Sequence, residues 1–310
     1  MSNAHSHYPS PPTLTFQSPD AHKATRILLV LALVGLGLLA GCNRRVGLLF
    51  DGDAAFASAE QQMHFGARVP GSEAHAKVGA WITAELEANG WRAGIESTEY
   101  QGVLLRNMVG KLGDSSAGPI LLGAHYDTRP RADLDLTRPD APVPGANDGA
   151  SGVAVLLELS RVLPSQLSGQ EVWLVFFDGE DSGGLDGWEW SAGAGAYAAG
   201  LTETPQAVVV VDMVGDLDLR LPRERSSDPS LAAEIWSLAR KQGATAFVDE
   251  LGSSVVDDHR PFLLLGIPAV DIIDIDYDYW HTTADTLDKI SPASLEQVGR
   301  VLQAWILSRP

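Results

Sequence analysis

Residues 172–181 read V-W-L-V-F-F-D-G-E-D. An apolar run without interruption ends on a turn that carries an acid pair. An unbroken run of this kind suits a central strand covered on both faces, whereas a half-exposed strand would alternate apolar and polar positions. Other segments end in the same manner: P-I-L-L-G-A-H-Y-D (119–127), P-G-A-N-D-G-A-S-G (144–152), V-V-V-V-D-M-V-G-D (208–216) and I-I-D-I-D-Y-D-Y-W-H-T (272–282). Together they deliver His125, Asp127, Asp148, Glu180, Asp181, Asp212 and His281. The pattern predicts an α/β chain: a single domain with an open, twisted, mostly parallel central sheet and helices on both faces. In such a sheet, ligands bind beyond the carboxyl ends of the strands. Imidazole and carboxylate are the donors that zinc takes in catalytic centres.

The flanking sequence fits this frame. Val78, Trp81, Ile82 and Leu86 share one helical face, and Gly90 closes that helix. Ile95 to Tyr100 and Leu104 to Lys111 read as early strands, a hairpin or edge pair. Further strands are expected over Ile120 to Ala124, Val172 to Phe177, Val208 to Val211 and Ala269 to Ile275. Helix signals recur at Val153, Leu156 and Leu157. Asp228-Pro229 and Ser291-Pro292 each set a capping side chain before a proline in the first helical turn. They open helices running through Leu231, Ile235 and Leu238, and through Leu295, Val298, Leu302 and Trp305. A short helix is expected over Asp258 to Leu265. Thr128 to Pro144 is a long loop rich in Pro, Asp and Arg, and long ordered loops are often functional.

The chain has 310 residues and is 45% hydrophobic, enough for one large core. Its net charge of −18 repels phosphate backbones, so nucleic acid is excluded as a partner. Cys42 is the single cysteine, which rules out an intramolecular disulfide. It follows Ile27 to Ala40, an uncharged apolar run of about fourteen residues, short for a bilayer span and sized for a signal h-region. Lys23 and Arg26 precede the run, and L-A-G-C (39–42) ends it, which resembles a bacterial lipoprotein lipobox. The expected organisation is a disordered pre-region over 1–25, a lipoprotein signal over 26–42, and a catalytic domain over 43–310. The domain would be exported, tethered to the cell envelope through a lipid on Cys42, facing the periplasm or the exterior. Asn43, where an inner-membrane retention signal would place Asp, is compatible with an outer-membrane site. A monomer is expected.

Each polar residue has a chemical use. Asp148 sits in a Gly-rich turn before a helix, where it can cap the helix or, with the other segments, bind metal. Glu180 and Asp181 are adjacent after a buried strand, and successive side chains there point in different directions. One can bind metal while the other stays free as a base. His281 lies between Trp280 and a pair of threonines. Asp127 is two residues from His125 on the same face, placed to hydrogen-bond and orient it. Trp190 and Trp280 are either core residues or pocket walls. His259 reads as structural, and His64 and His75 have no partner visible in the sequence.

The order H-x-D, N-D-G-A-S-G, D-G-E-D, D-M-V-G, D-D-H-x-P-F-L and W-H-T resembles the zinc-dependent aminopeptidase superfamily that includes glutaminyl-peptide cyclotransferases. The likeness runs from R-V-P-G-S at Arg68 to the C-terminus. Trp280-His281, Asp257 to Leu263 and Trp190-Ser191 resemble the cyclotransferases more narrowly. The resemblance implies that Asp148, Asp181 and His281 hold one zinc and that Glu180 is the general acid/base. It implies that Asp212 and Asp258 join a hydrogen-bonded acid network, and that Trp190 and Trp280 line the substrate pocket. In two-zinc members, His125 and Asp212 would hold a second metal bridged by Asp148. Asp181 departs from the pattern, since many members carry Glu there. The implied activity is conversion of an N-terminal glutamine of peptides or proteins to pyroglutamate with loss of ammonia. The alternatives are a zinc aminopeptidase and a non-catalytic binding lipoprotein.

Overall fold

The computed structural model describes residues 48–309. The pre-region, the signal segment and Cys42 lie outside the described residues. Two helices come first, α1 (Gly52–Phe65) and α2 (Glu73–Ala88), then a hairpin of β1 (Arg92–Tyr100) and β2 (Val103–Gly113). The hairpin turns through Gln101 and Gly102, both at positive φ (50° and 79°), the backbone a two-residue turn needs to match the strand twist. There follow β3 (Ile120–His125), α3 (Ala150–Val162), β4 (Glu171–Phe177), α4 (Ala192–Ala199) and β5 (Ala207–Asp212). The last third contains β6 (Leu221–Arg223), α5 (Pro229–Gln242), β7 (Phe247–Leu251), α6 (Arg260–Leu264), β8 (Ala269–Ile273) and α7 (Pro292–Ser308).

The main sheet has the order β1-β2-β4-β3-β5-β8. Strands β4, β3, β5 and β8 pair parallel, and the β1–β2 hairpin is added antiparallel at one edge. Alternate residues of the parallel strands feed two cores. Leu122, Leu174, Val209 and Ile272 pack under α1, α2, α3, α5 and α7. Leu121, Val175, Val208 and Val210 pack under α4 and α6. Strands buried on both sides explain the unbroken apolar runs. Truncating one of these side chains, as in Leu122→Ala, costs roughly 2–5 kcal/mol through lost burial and a residual cavity. The helix starts at Asp228 and Ser291 are capped as their sequences predict. Asp228 accepts from Ser230 N (3.0 Å) and Leu231 N (2.8 Å), and Ser291 accepts from Ser294 N (3.1 Å). Among the described residues, no helix is long and apolar enough to cross a membrane.

Some boundaries differ from expectation. Strand β8 stops at Ile273 rather than Ile275, because the Asp274 carboxylate accepts from Arg220 N (2.9 Å) and the chain turns out of the sheet there. Helix α6 starts at Arg260 rather than Asp258, since Asp257 O closes a turn with Arg260 N and the two acids point into the protein. The small parallel pair β6–β7 has no clear pattern in the sequence.

Candidate metal centre and active site

The parallel strands present their carboxyl ends on one side of the sheet. Strand β3 lies between β4 and β5, its next two successors in the chain, so the connections depart in opposite directions and open a crevice at that edge. His125 ends β3, Asp212 ends β5, Glu180 and Asp181 follow β4, and His281 follows β8. Asp148 enters from the turn that precedes α3. Gly149 lets that turn close on β3: a Cβ there would lie 2.5 Å from His125 O and 2.7 Å from its ring, so a larger residue would push the turn away.

Two sets of donors result, and they share Asp148. In the first, His281 Nε2 lies 3.3 Å from Asp181 Oδ1 and 3.9 Å from Asp148 Oδ2. In the second, His125 Nε2 lies 3.0 Å from Asp212 Oδ1 and 3.1 Å from Asp148 Oδ1. All five residues are buried. Asp148 Oδ2 and Asp181 Oδ1, the oxygens facing His281, have no hydrogen-bond partner among the described residues. Two bare carboxylate oxygens side by side out of water are strongly unfavourable. A divalent cation between them and the imidazole removes that cost, so this donor set fits zinc.

The remaining atoms of these ligands are held by the protein. Asp181 Oδ2 accepts from Arg129 N at 2.6 Å, and the Arg129 guanidinium donates to Asp181 O (3.0 Å) and Gly183 O (3.1 Å). Asp127 corrects the expectation drawn from H-Y-D. Its Oδ1 is 3.6 Å from His125 Nδ1, too far for a hydrogen bond, and that ring nitrogen has no partner. Its carboxylate instead accepts from Glu180 N and Asp181 N, each at 3.2 Å, and so sets the turn that carries both acids. The long loop of residues 128–144 braces the other arm. Leu134 N donates to His281 O (3.3 Å), Asp133 Oδ1 lies 3.6 Å from His281 Nδ1, and Asp135 accepts from the Thr283 amide and hydroxyl.

Beside the first donor set is a pocket of about 240 Å³. Trp190, Trp280, Ile273 and Ile275 form apolar walls, and Glu180 and Asp212 supply polar wall. The Trp190 ring stacks on His281 at 6.1 Å and 12°, and Trp280 lies 3.9 Å from the same ring. Burial pushes the Glu180 carboxyl well above its usual range, and the charges of Asp257 and Asp258 push the same way. Burial also lifts Asp212 to about 7 and holds His281 down to about 4, so the His281 ring is neutral near pH 7, the form that binds metal. Burial, followed by the charge of Asp148, raises Asp181 well above its usual range. Burial opposes ionisation of Asp148 too, but its hydrogen bond to His125 holds it below the usual range.

Sequence reasoning singled out Asp258 from the D-D pair. The structure places Asp258 behind the pocket, fully buried, with both carboxylate oxygens lacking a hydrogen bond. Asp257 is the acid that reaches the pocket wall. Neighbouring acids in a turn carry no sign of which one faces inward. His75, which had no partner in sequence, pairs with Asp178 at 2.8 Å and stacks on Tyr126, bracing the segment that leads to Glu180. His259 stands away from both donor sets, 3.1 Å from Ser226 Oγ and 3.4 Å from Glu224 Oε2.

Residues 107–306 match the profile of Peptidase family M28. A glutaminyl-peptide cyclotransferase-like protein of Bos taurus is 26% identical over 277 residues, covering 77% of this chain and 71% of that one. The crystal structure of Bacteroides thetaiotaomicron glutaminyl cyclase bound to N-acetylhistamine is 31% identical, with a TM-score of 0.80 over 85% of this chain and 100% of that chain. A leucine aminopeptidase precursor from the same organism is equally similar: 31% identity and a TM-score of 0.80, over 85% of this chain and 99% of that chain. On the extent of the family match and of these structural likenesses, the chain belongs to peptidase family M28.

Proposed function

We propose that this chain is a zinc-dependent glutaminyl-peptide cyclotransferase that converts the N-terminal glutamine of peptides or proteins to pyroglutamate and releases ammonia. The observation that carries the reading is the pairing of one donor set with bare oxygens, Asp148, Asp181 and His281, with a free Glu180 in a small pocket walled by Trp190 and Trp280. Three protein ligands leave a coordination position for substrate. When bound, zinc supplies a Lewis acid for the γ-carboxamide oxygen. Glu180, with its raised proton affinity, takes a proton from the α-amine as that nitrogen attacks the γ-carbon. It then returns the proton to the departing ammonia. Asp212 and Asp257 on the wall accept from the substrate amino group and orient it. The two indoles narrow the pocket and hold the glutaminyl side chain folded on itself, where the five-membered approach has a high effective concentration. No water is consumed.

A second reading has its own support. The donor set of His125, Asp148 and Asp212 would suit an aminopeptidase, in which Glu180 takes a proton from a water that attacks the first peptide bond. Two assays on one sample separate the readings: ammonia release from a Gln-initiated dipeptide and hydrolysis of a leucine amide chromogen. Ammonia release without hydrolysis is expected, and hydrolysis without ammonia release would replace the cyclotransferase by the aminopeptidase. For the same chain we propose export, a lipid anchor on Cys42 and a monomeric state, supported by L-A-G-C at the end of the apolar run. Incorporation of labelled palmitate in the producing cell, lost in Cys42→Ala, tests the anchor.

A further inference from the structure

Asp285 lies in the turn after His281 and is fully buried. The mechanism above does not use it. Its Oδ1 accepts from Asn147 N (2.8 Å) and from Tyr277 Oη (2.7 Å), and its Oδ2 accepts from Asp148 N (3.1 Å). Its backbone oxygen accepts from Ala146 N (3.4 Å). A single residue therefore joins the turn that carries Asp148 to the loop that carries His281, across 137 positions of sequence.

The loop needs such a tie. His281 adopts φ of 54°, in the left-handed region that a branched-ring side chain rarely enters. Conformations of this kind persist only where the surroundings over-determine them. Here the constraints are the turn bonds Trp280 N to Tyr277 O (3.2 Å), Thr282 N to Tyr279 O (3.1 Å) and Asp285 N to Thr282 O (3.3 Å), closed by the Tyr277–Asp285 bond. On the other side, the Asp148 turn is gripped by Arg68, which donates to Pro144 O and Gly145 O, each at 2.6 Å, and by Asn147, whose Oδ1 accepts from Gly215 N at 2.7 Å. Asp285 is the contact common to both arms.

We infer that Asp285 is a positioning residue that sets zinc affinity by holding the Asp148 amide and the His281 loop in one register. The inference rests on the zinc reading given above. Asn at this position has the same shape, but in either orientation its NH2 faces one of the two amides, so one grip is lost. The test is zinc affinity by chelator competition, with thermal unfolding of metal-free and zinc-saturated protein in parallel. Asp285→Asn is expected to weaken zinc by about 10- to 100-fold, the usual effect of removing a group that orients metal ligands. Excess zinc is expected to restore ammonia release to near the parent rate. Tyr277→Phe, which leaves both amide bonds to Asp285 in place, is expected to change zinc affinity less than about threefold. If Asp285→Asn does not fold, Asp285→Ala, which leaves room for water at the two amides, gives the same comparison. Zinc bound as tightly by the Asp285 variant as by the parent overturns this inference alone. So does an equal loss in Tyr277→Phe, which would assign the effect to loop packing. A parent that binds no zinc overturns the inference and the zinc reading together.

Discussion

The two donor sets of this protein share Asp148 and sit on neighbouring strand ends, yet they are differently satisfied. Around His281, the oxygens of Asp148 and Asp181 that face the imidazole are bare. Around His125, Nε2 reaches Asp148 Oδ1 and Asp212 Oδ1 at hydrogen-bond distance. Burial opposes charge on His125, but Asp212 and the hydrogen bonds of its acid neighbours raise its proton affinity well above the usual value. A proton settles the His125 set, and only a cation settles the His281 set. The same residue types in similar geometry therefore take different occupants, according to which oxygens the surrounding backbone leaves unpaired. One zinc per chain is the consequence.

The strongest way to break this comparison is His281→Ala. It is expected to remove zinc retention and to lower ammonia release by about a thousandfold, the equivalent of losing several kcal/mol of charge stabilisation. Next comes Glu180→Gln, expected to lower kcat by roughly 10²- to 10⁴-fold while the zinc content stays at the parent level. A variant that lost zinc instead would make Glu180 a ligand. His125→Asn is expected to keep its zinc and to lose less than about tenfold in turnover. Loss on the scale of His281→Ala would show that the His125 set holds an essential metal as well.

The smallest effect is one of pH. Burial raises Asp181 in the metal-free fold, so its stabilising contribution is present below the usual carboxylate range and is lost as pH rises through the raised value. His281 acts in the opposite sense. Its folded value of about 4 costs stability only below the unfolded value, near 6.5, and it is neutral in both states above that. Between pH 6.5 and 9 the acid contribution is therefore isolated, and the metal-free protein is expected to melt a few degrees lower at pH 9 than at pH 6.5. Zinc requires Asp181 ionised, so binding should release a proton and remove that decline. Calorimetry in buffers of different ionisation heat reads the proton, and thermal scans read the decline. Equal proton release from an Asp181→Asn variant would assign the proton elsewhere.

Much of the site was legible because it stands at the ends of unbroken apolar runs. V-W-L-V-F-F and V-V-V-V can only be strands covered on both faces, and whatever follows them must sit at the sheet edge. Helices with strong punctuation, at Asp228-Pro229 and Ser291-Pro292, were legible for a local reason as well. Helix α1 was not: its buried positions include Gly52, Ala55 and Ala59, small residues that permit close packing but give no apolar stripe. Helix α4, A-G-A-G-A-Y-A-A, has a composition that disfavours a helix and forms where Ala194, Tyr197 and Ala198 meet the sheet. The parts of the site that stayed hidden are those made by backbone amides. Asp127 was expected to face His125 but serves the amides of Glu180 and Asp181. Asp285 looked like one more loop acid, since its amide partners lie 137 and 138 positions away. Hydrogen bonds to distant backbone leave no side-chain pattern to read.

The most direct test is the number of zinc ions retained per chain after dialysis, by elemental analysis of the parent, His281→Ala and His125→Asn. One in the parent, none in His281→Ala and one in His125→Asn is the result that follows from the unequal satisfaction of the two sets. Two in the parent, with one lost in each variant, would contradict it.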